Sequence, residues 1–99
     1  MNTEIKAVHF NIGDDTREYI DKKIHRLDYA KDLIVDFLMT LTKEKKGYFK
    51  AEVTINFRWN VSSHIKEEAY DLIEAVDKLT DKVEKKVRRE KEKVQDHSA

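Results

Sequence analysis

Seven lysine and arginine residues fall within positions 82–93, against three acidic residues. In a helix that turns about 100° per residue, four of these cations share one face and a fifth extends it. These five are Lys82, Lys85, Lys86, Arg89 and Lys93, and Arg88 and Lys91 add charge beside them. Aligned cations can follow a row of phosphates and release their counterions. The alternative interpretation is a solvated helix end, where cations only compensate the helix dipole.

A second group of cations lies in segment 15–30, where the spacing predicts a helix. Its apolar stripe has the period of a helix and consists of Thr16, Ile20, Ile24 and Leu27. Lys22, Lys23 and Arg26 lie off that stripe. If the two helices lie side by side, these three cations enlarge the basic surface. An ordinary solvent-exposed face is the alternative.

Residue types that carry other chemistry are sparse. The chain has no cysteine, which excludes disulfides, thiolate metal sites and a cysteine nucleophile. Its four histidines, at positions 9, 25, 64 and 97, do not have metal-ligand spacing. With only two glycines, the sequence lacks a Gly-rich phosphate loop, and no Ser–His–Asp arrangement follows from its spacing. We therefore expect no metal, no cofactor and no enzymatic activity.

Aromatic residues offer a second route to nucleic-acid binding, because exposed rings can stack on bases. Phe49, Phe57 and Trp59 share the apolar parity of a strand, which favours a place in the core. The four tyrosines, at positions 19, 29, 48 and 70, are ambiguous. No strand carries the aromatic ribonucleoprotein motif, so a base-stacking sheet is poorly supported.

Length and composition indicate one globular domain. The chain has 99 residues, of which 39% are apolar and 40% are charged, with 20 basic residues against 20 acidic ones. It contains no apolar run of about 18 residues and no secretory signal pattern at its start, so we expect a cytoplasmic protein without a membrane partner. The charge is uneven, because segment 67–81 is strongly acidic and segment 82–93 strongly basic.

Hydrophobic periodicity predicts the order β-α-β-β-β-α. Alternating residues indicate strands at about 3–10, at 33–42 with the odd positions buried, and at 49–59, whereas segment 61–67 is a weaker strand. Turns are predicted around Gly13, at 43–47 and near Asn60. A helical stripe runs from about Glu68 towards the C-terminus, and its heptad-like step is interrupted by Thr80 and Glu90. We predict an α+β fold, a four-stranded sheet with both helices packed on one face.

The string from Asp71 to Val83, DLIEAVDKLTDKV, resembles the D-x-Y-x-A-I-D-x-L-x-D-K-L signature of the ribosome hibernation-promoting factors. These proteins are also called ribosome-associated inhibitors or sigma-54 modulation proteins. The basic run after the string continues the resemblance, as does Arg17-Glu18-Tyr19-Ile20 in the first predicted helix. Ile73 stands at the signature tyrosine, and Ala7 at a glycine of the first strand. The length is similar to that of the short form of the family.

The resemblance implies a fold similar to a double-stranded-RNA-binding domain with an added strand. It also implies binding to the small ribosomal subunit, in the channel for messenger RNA and transfer RNA, and inhibition of translation in resting or stressed cells. The matched basic positions are Lys23, Arg26, Lys82, Lys85, Arg89, Lys91 and Lys93, with Lys86 and Arg88 beside them. We expect residues 1–95 to form a single ribosome-binding domain, monomeric off the ribosome, and residues 96–99 to fray.

Two other functions are compatible with the residues alone. The first is a protein–protein regulatory module that acts through its helix faces and whose binding tolerates salt. The second is a binding domain for other structured RNA, which would bind naked duplexes as tightly as ribosomes.

Overall fold

The computed structural model describes the backbone of residues 1–97 and the side chains of residues 1–94. Its elements are strand β1 (Asn2–Val8), helix α1 (Asp14–His25), a 3₁₀ helix (Asp28–Leu33), strands β2 (Ile34–Lys43), β3 (Phe49–Phe57) and β4 (Ser62–Ala69), and helix α2 (Leu72–His97). The strands form one sheet in the order β1-β2-β3-β4. β1 is parallel to β2, and the other neighbours are antiparallel. The predicted α+β fold and order of strands and helices are confirmed.

The core lies between one face of the sheet and the two helices. Alternate residues of β2 and β3 point into it, as the period of two in their sequences predicts. The core side chains are Phe37, Met39, Leu41, Ala51, Val53, Ile55 and Phe57 from the sheet, Ile20 and Ile24 from α1, and Val76, Leu79, Val83 and Val87 from α2. Because one stripe of α2 is used up against the sheet, its remaining faces carry the charged residues.

The first helix is shorter than predicted. The expected helix over 15–30 ends at His25, and a 3₁₀ helix follows from Asp28 to Leu33. A 3₁₀ helix has three residues per turn, so residues three apart lie on one side. Leu27 and Ala30 are buried on that side, and Leu33 is half-buried. The tighter turn keeps the apolar side chains against the core while the chain reverses into β2.

The start of β2 departs from the predicted odd-numbered buried face. Ile34 pairs with Phe57 but Asp36 pairs with Asn56, so one extra residue, Val35, is accommodated in a β-bulge. The bulge changes which alternate residues of the strand face the core, from even-numbered before it to odd-numbered after it. Ile34 is therefore buried, whereas Val35 is 47% exposed. From Phe37 onwards the predicted face is correct.

The turn between β3 and β4 removes Trp59 from the strand in which it was predicted. β3 ends at Phe57, whose N–H donates to the carbonyl of Val61 at 2.8 Å. Asn60 takes a positive φ of 60°, which confirms the predicted turn, since asparagine tolerates the left-handed region. The Trp59 ring stacks on Phe57 with 5.3 Å between centroids. Trp59 thus covers the edge of the core from a loop.

Helix α2 continues past the predicted end of the domain at residue 95, since Asp96 and His97 are helical. The fraying expected for 96–99 stays a prediction, and Ser98 and Ala99 lie outside the described residues. Within the described chain, neither helix combines the length and apolarity that crossing a bilayer requires.

Candidate nucleic-acid interface

The side of α2 that points away from the sheet displays three cations from its C-terminal half. Lys85, Arg88 and Arg89 are all exposed. Among the side chains of residues 1–94, no carboxylate oxygen lies within 4.0 Å of their charged groups. Because the buried stripe of α2 fixes the rotation of the helix, these three positions must face solvent. Their charge is available to an external anion.

Lys82 faces the edge strand of the sheet. Its ammonium group forms an ion pair with Glu67 of β4, which packs beside α2. This hydrogen bond lowers the pKa of Glu67, and the effect exceeds the opposing effect of burial. Lys82 therefore presents less free charge than the sequence pattern suggests.

Lys86 and Lys93 share one buried carboxylate. Glu90 is only 3% exposed, and its Oε1 lies 3.0 Å from Nζ of Lys86 and 3.2 Å from Nζ of Lys93. Burial raises the pKa of Glu90, but the hydrogen bonds and charges of the two lysines outweigh it, so the pKa lies below its ordinary value. Trp59 and Val61 line the apolar cavity beside this group. Glu90 therefore fixes two of the predicted RNA-binding lysines in place.

We expect replacement of Glu90 by glutamine to lower stability at about pH 7 and to have a smaller effect at about pH 3. A carboxylate whose folded pKa lies below the unfolded value of 4.5 stabilises the fold above that pH and loses this contribution as the pH falls through the folded pKa. Urea unfolding followed by Trp59 fluorescence at both pH values measures the difference. Glu92→Gln, at an exposed position of α2, is the control. An equal loss for Glu90→Gln at both pH values would contradict the assignment.

Two of the predicted cations, Lys23 on α1 and Arg26 directly after it, lie against carboxylates of α2. Nζ of Lys23 is 3.3 Å from Asp77, and a guanidinium nitrogen of Arg26 is 3.7 Å from Glu84. The hydroxyl of Tyr19 donates to the same Asp77 at 2.5 Å, and this bond raises the pKa of Tyr19. Asp77 and Glu84 thus lie between these two cations and the cations of α2, so Lys23 and Arg26 add less free charge to the basic surface than their positions in the sequence suggest. The negative charge of the two carboxylates partly compensates Lys23 and Arg26.

The remaining predicted cations differ in their surroundings. Lys22 is exposed on α1, and no carboxylate of residues 1–94 lies within 4.0 Å of its ammonium group. Nζ of Lys91 lies 5.0 Å from the centroid of the Tyr29 ring and 3.5 Å from the Tyr29 carbonyl. A cation over an aromatic face is attracted by the ring quadrupole. Lys91 therefore ties α2 to the 3₁₀ helix and is only partly available.

Sequence reasoning missed the acidic partners Asp77, Glu84 and Glu90. For Glu90 a signal was present, because Lys86 and Lys93 stand four residues before and three after it. Asp77 and Glu84 meet residues of α1 that are more than 50 positions away in the sequence, so no local pattern reveals these pairs.

The fold has close counterparts among solved structures. The N-terminal domain of Thermus thermophilus Protein Y superposes with a TM-score of 0.76 at 29% identity, over 90% of this chain and 98% of that domain. A ribosomal subunit interface protein from Coxiella burnetii has a TM-score of 0.81 at 21% identity, over 92% of this chain and 98% of its own, and shows the shared fold. The fold defines an α+β domain of the type shared by these two proteins. The sequence profile described as Sigma 54 modulation protein / S30EA ribosomal protein matches residues 3–95, and the chain belongs to this family.

Proposed function

We propose that this protein binds the small ribosomal subunit in the channel for messenger RNA and transfer RNA and thereby inhibits translation in resting or stressed cells. It would act in the cytoplasm, as a monomer off the ribosome, without catalysis. Membership of a ribosome-associated family supports the ribosome as its partner. The finer assignment to this channel follows the resemblance of segment 71–83 to the hibernation-promoting factors.

The observation that carries the proposal is the exposed group of Lys85, Arg88 and Arg89 on α2. These cations lie within two turns of α2, and no carboxylate oxygen of residues 1–94 lies within 4.0 Å of their charged groups. Such a group contacts RNA phosphates without reading bases, and the shape of the domain supplies the remaining selectivity. Inhibition then requires only that the bound domain and a transfer RNA stem occupy overlapping sites in the channel, so that one excludes the other. Lys22, and the net positive charge that Lys86 and Lys93 retain beside Glu90, contribute longer-range attraction, whereas Lys82 is paired with Glu67.

Competition on the small subunit tests this function. Small subunits carrying messenger RNA and fluorescent transfer RNA are titrated with the protein, and we expect one transfer RNA to be released for each molecule bound. Three phosphate contacts predict that affinity falls roughly twentyfold between about 0.1 M and 0.3 M salt. Simultaneous binding of protein and transfer RNA would refute the occlusion. Tighter binding to a naked RNA duplex than to the subunit would instead favour a general RNA-binding domain.

A further inference from the structure

A groove of about 750 Å³ lies at the N-terminal end of α2, away from the basic C-terminal half of the helix. The loop between β2 and β3, the end of β4 and the first turns of α2 form its walls. Lysines and tyrosines in its lining include Lys43, Lys45, Lys46, Tyr48, Tyr70 and Lys78. None of the cations assigned to the nucleic-acid interface above lines this groove.

Two tyrosines form an aromatic surface in the groove. Tyr70 lies between the end of β4 and the start of α2 and is 80% exposed. Its ring meets that of Tyr48 edge to face, with 6.4 Å between centroids and 79° between the planes. The edge contact orients the Tyr70 ring but leaves most of it in solvent. An exposed aromatic face of this kind can stack on any unpaired base.

The free charge of the groove is positive. Each of its three carboxylates lies near a lysine: Glu44 is 3.5 Å from Lys50, Glu68 is 3.9 Å from Lys66, and Glu74 is 3.4 Å from Lys78. Within residues 1–94, no carboxylate oxygen lies within 4.0 Å of the ammonium groups of Lys43, Lys45 and Lys46. Nζ of Lys43 lies 6.0 Å from the centroid of the Phe49 ring, whereas Lys45 and Lys46 are exposed in the loop. These cations beside an aromatic surface complement the phosphates and bases of a nucleic-acid strand.

The loop that carries the lysines has a defined backbone. The N–H of Glu44 donates to the carbonyl of Tyr48 at 2.8 Å, and the N–H of Gly47 donates to the carbonyl of Glu44 at 3.0 Å. Gly47 has a φ of 91°, a conformation that side-chain-bearing residues rarely adopt. Lys45 and Lys46 are thereby held next to Tyr48. Fixing the loop before binding lowers the entropy lost when a ligand is bound.

We propose that this groove binds unpaired nucleotides of an RNA strand, with Lys43, Lys45 and Lys46 at the phosphates and Tyr70 stacked on a base. The inference rests on the proposed function and extends it, since it adds a single-stranded contact at the opposite end of α2. Bound RNA would then contact both ends of the helix.

The aromatic part is tested with a 5′-fluorescein-labelled oligouridylate of about ten nucleotides, whose anisotropy reports binding to the full chain. We expect Tyr70→Ala to weaken binding about tenfold and Tyr70→Phe to restore it, because stacking needs the ring and not the hydroxyl. Far-UV circular dichroism verifies that both variants are folded. Unchanged binding by Tyr70→Ala, or an equal loss in both variants, would overturn the proposal.

The phosphate contacts are tested by the dependence of affinity on salt. Lys45→Ala combined with Lys46→Ala should reduce the slope of log affinity against log salt by about 1.4, because a single-stranded phosphate contact contributes about 0.7. The matched control is Lys6→Ala with Lys31→Ala, which removes two exposed cations outside the groove. An equal change in slope for both pairs would overturn the assignment of these lysines.

Competitors identify the class of ligand. Uridine monophosphate and polyglutamate should displace the labelled strand much more weakly than unlabelled oligouridylate does. Equal displacement by the mononucleotide would mean a free-nucleotide site, and equal displacement by polyglutamate an acidic-protein site, and either result would overturn the proposal.

The Tyr70 variants, and a variant with Lys85, Arg88 and Arg89 of α2 replaced by glutamate, are also tested for binding to small subunits. Loss of subunit binding by the α2 variant, with groove variants normal in both assays, would refute the groove and leave the proposed function intact. Unchanged subunit binding by the α2 variant would refute the proposed function.

Discussion

Replacing Lys85, Arg88 and Arg89 together by glutamate should weaken binding to the small ribosomal subunit at least about 500-fold. Each lost phosphate contact removes roughly an eightfold factor at about 0.1 M salt, and three contacts multiply. The new carboxylates would also repel the phosphates. Co-sedimentation of the variant with small subunits measures the loss, which should be accompanied by loss of inhibition in a translation extract.

The design of this variant depends on the contacts seen in the structure. Lys86 is left in place because its ammonium group helps to compensate the buried Glu90, and a glutamate there would place two carboxylates together. The three replaced side chains are exposed, so the fold should be retained. A control with Lys6, Lys31 and Arg58 replaced by glutamate changes the net charge equally at exposed positions outside both proposed RNA-binding surfaces. If the control loses as much affinity, net charge and not this surface determines binding.

Much of the fold could be predicted from the sequence, because its signals are local. The alternation of apolar residues in 49–57 fixes which face of β3 is buried, and the stripe from Val76 to Val87 fixes the rotation of α2. The exceptions are places where pairing between strands or packing alters the period. The bulge at Val35 arises from its register with β3, and the 3₁₀ helix arises from the need to bury Leu27 and Ala30.

The candidate site was less predictable, because its free charge depends on tertiary partners. The sequence places a cation at each of the ten predicted positions, and the structure decides which of them are compensated. Lys23 meets Asp77 and Lys82 meets Glu67 only after the sheet and helices have packed. Lys82, Lys86, Lys91 and Lys93 of the basic run contact other side chains, and Lys85, Arg88 and Arg89 remain exposed with no carboxylate of residues 1–94 within 4.0 Å. For the same reason the groove at Tyr70 was not predicted, since its walls come from three separate segments.

Phe37→Ala should lower the free energy of unfolding by about 3–5 kcal/mol, which is the usual cost of deleting a fully buried phenylalanine side chain. Phe37 is completely buried in β2, where it pairs with Thr3 of β1 and Ile55 of β3. The truncation would leave a cavity in the core between the sheet and the helices, which the close-packed surroundings can fill only in part. Urea unfolding followed by circular dichroism and Trp59 fluorescence measures the loss, and both signals should change together.

Val35→Ala is the matched control, because it removes an apolar side chain from the same strand at a position of the same parity. Since the bulge turns Val35 outward and leaves it 47% exposed, its replacement should cost less than about 1 kcal/mol. If the period of two continued without a bulge, Val35 would be buried like Phe37 and its truncation would be clearly destabilising. A loss for Val35→Ala as large as that for Phe37→Ala would therefore contradict the register between β2 and β3, whereas a small loss locates the change of parity between Val35 and Phe37.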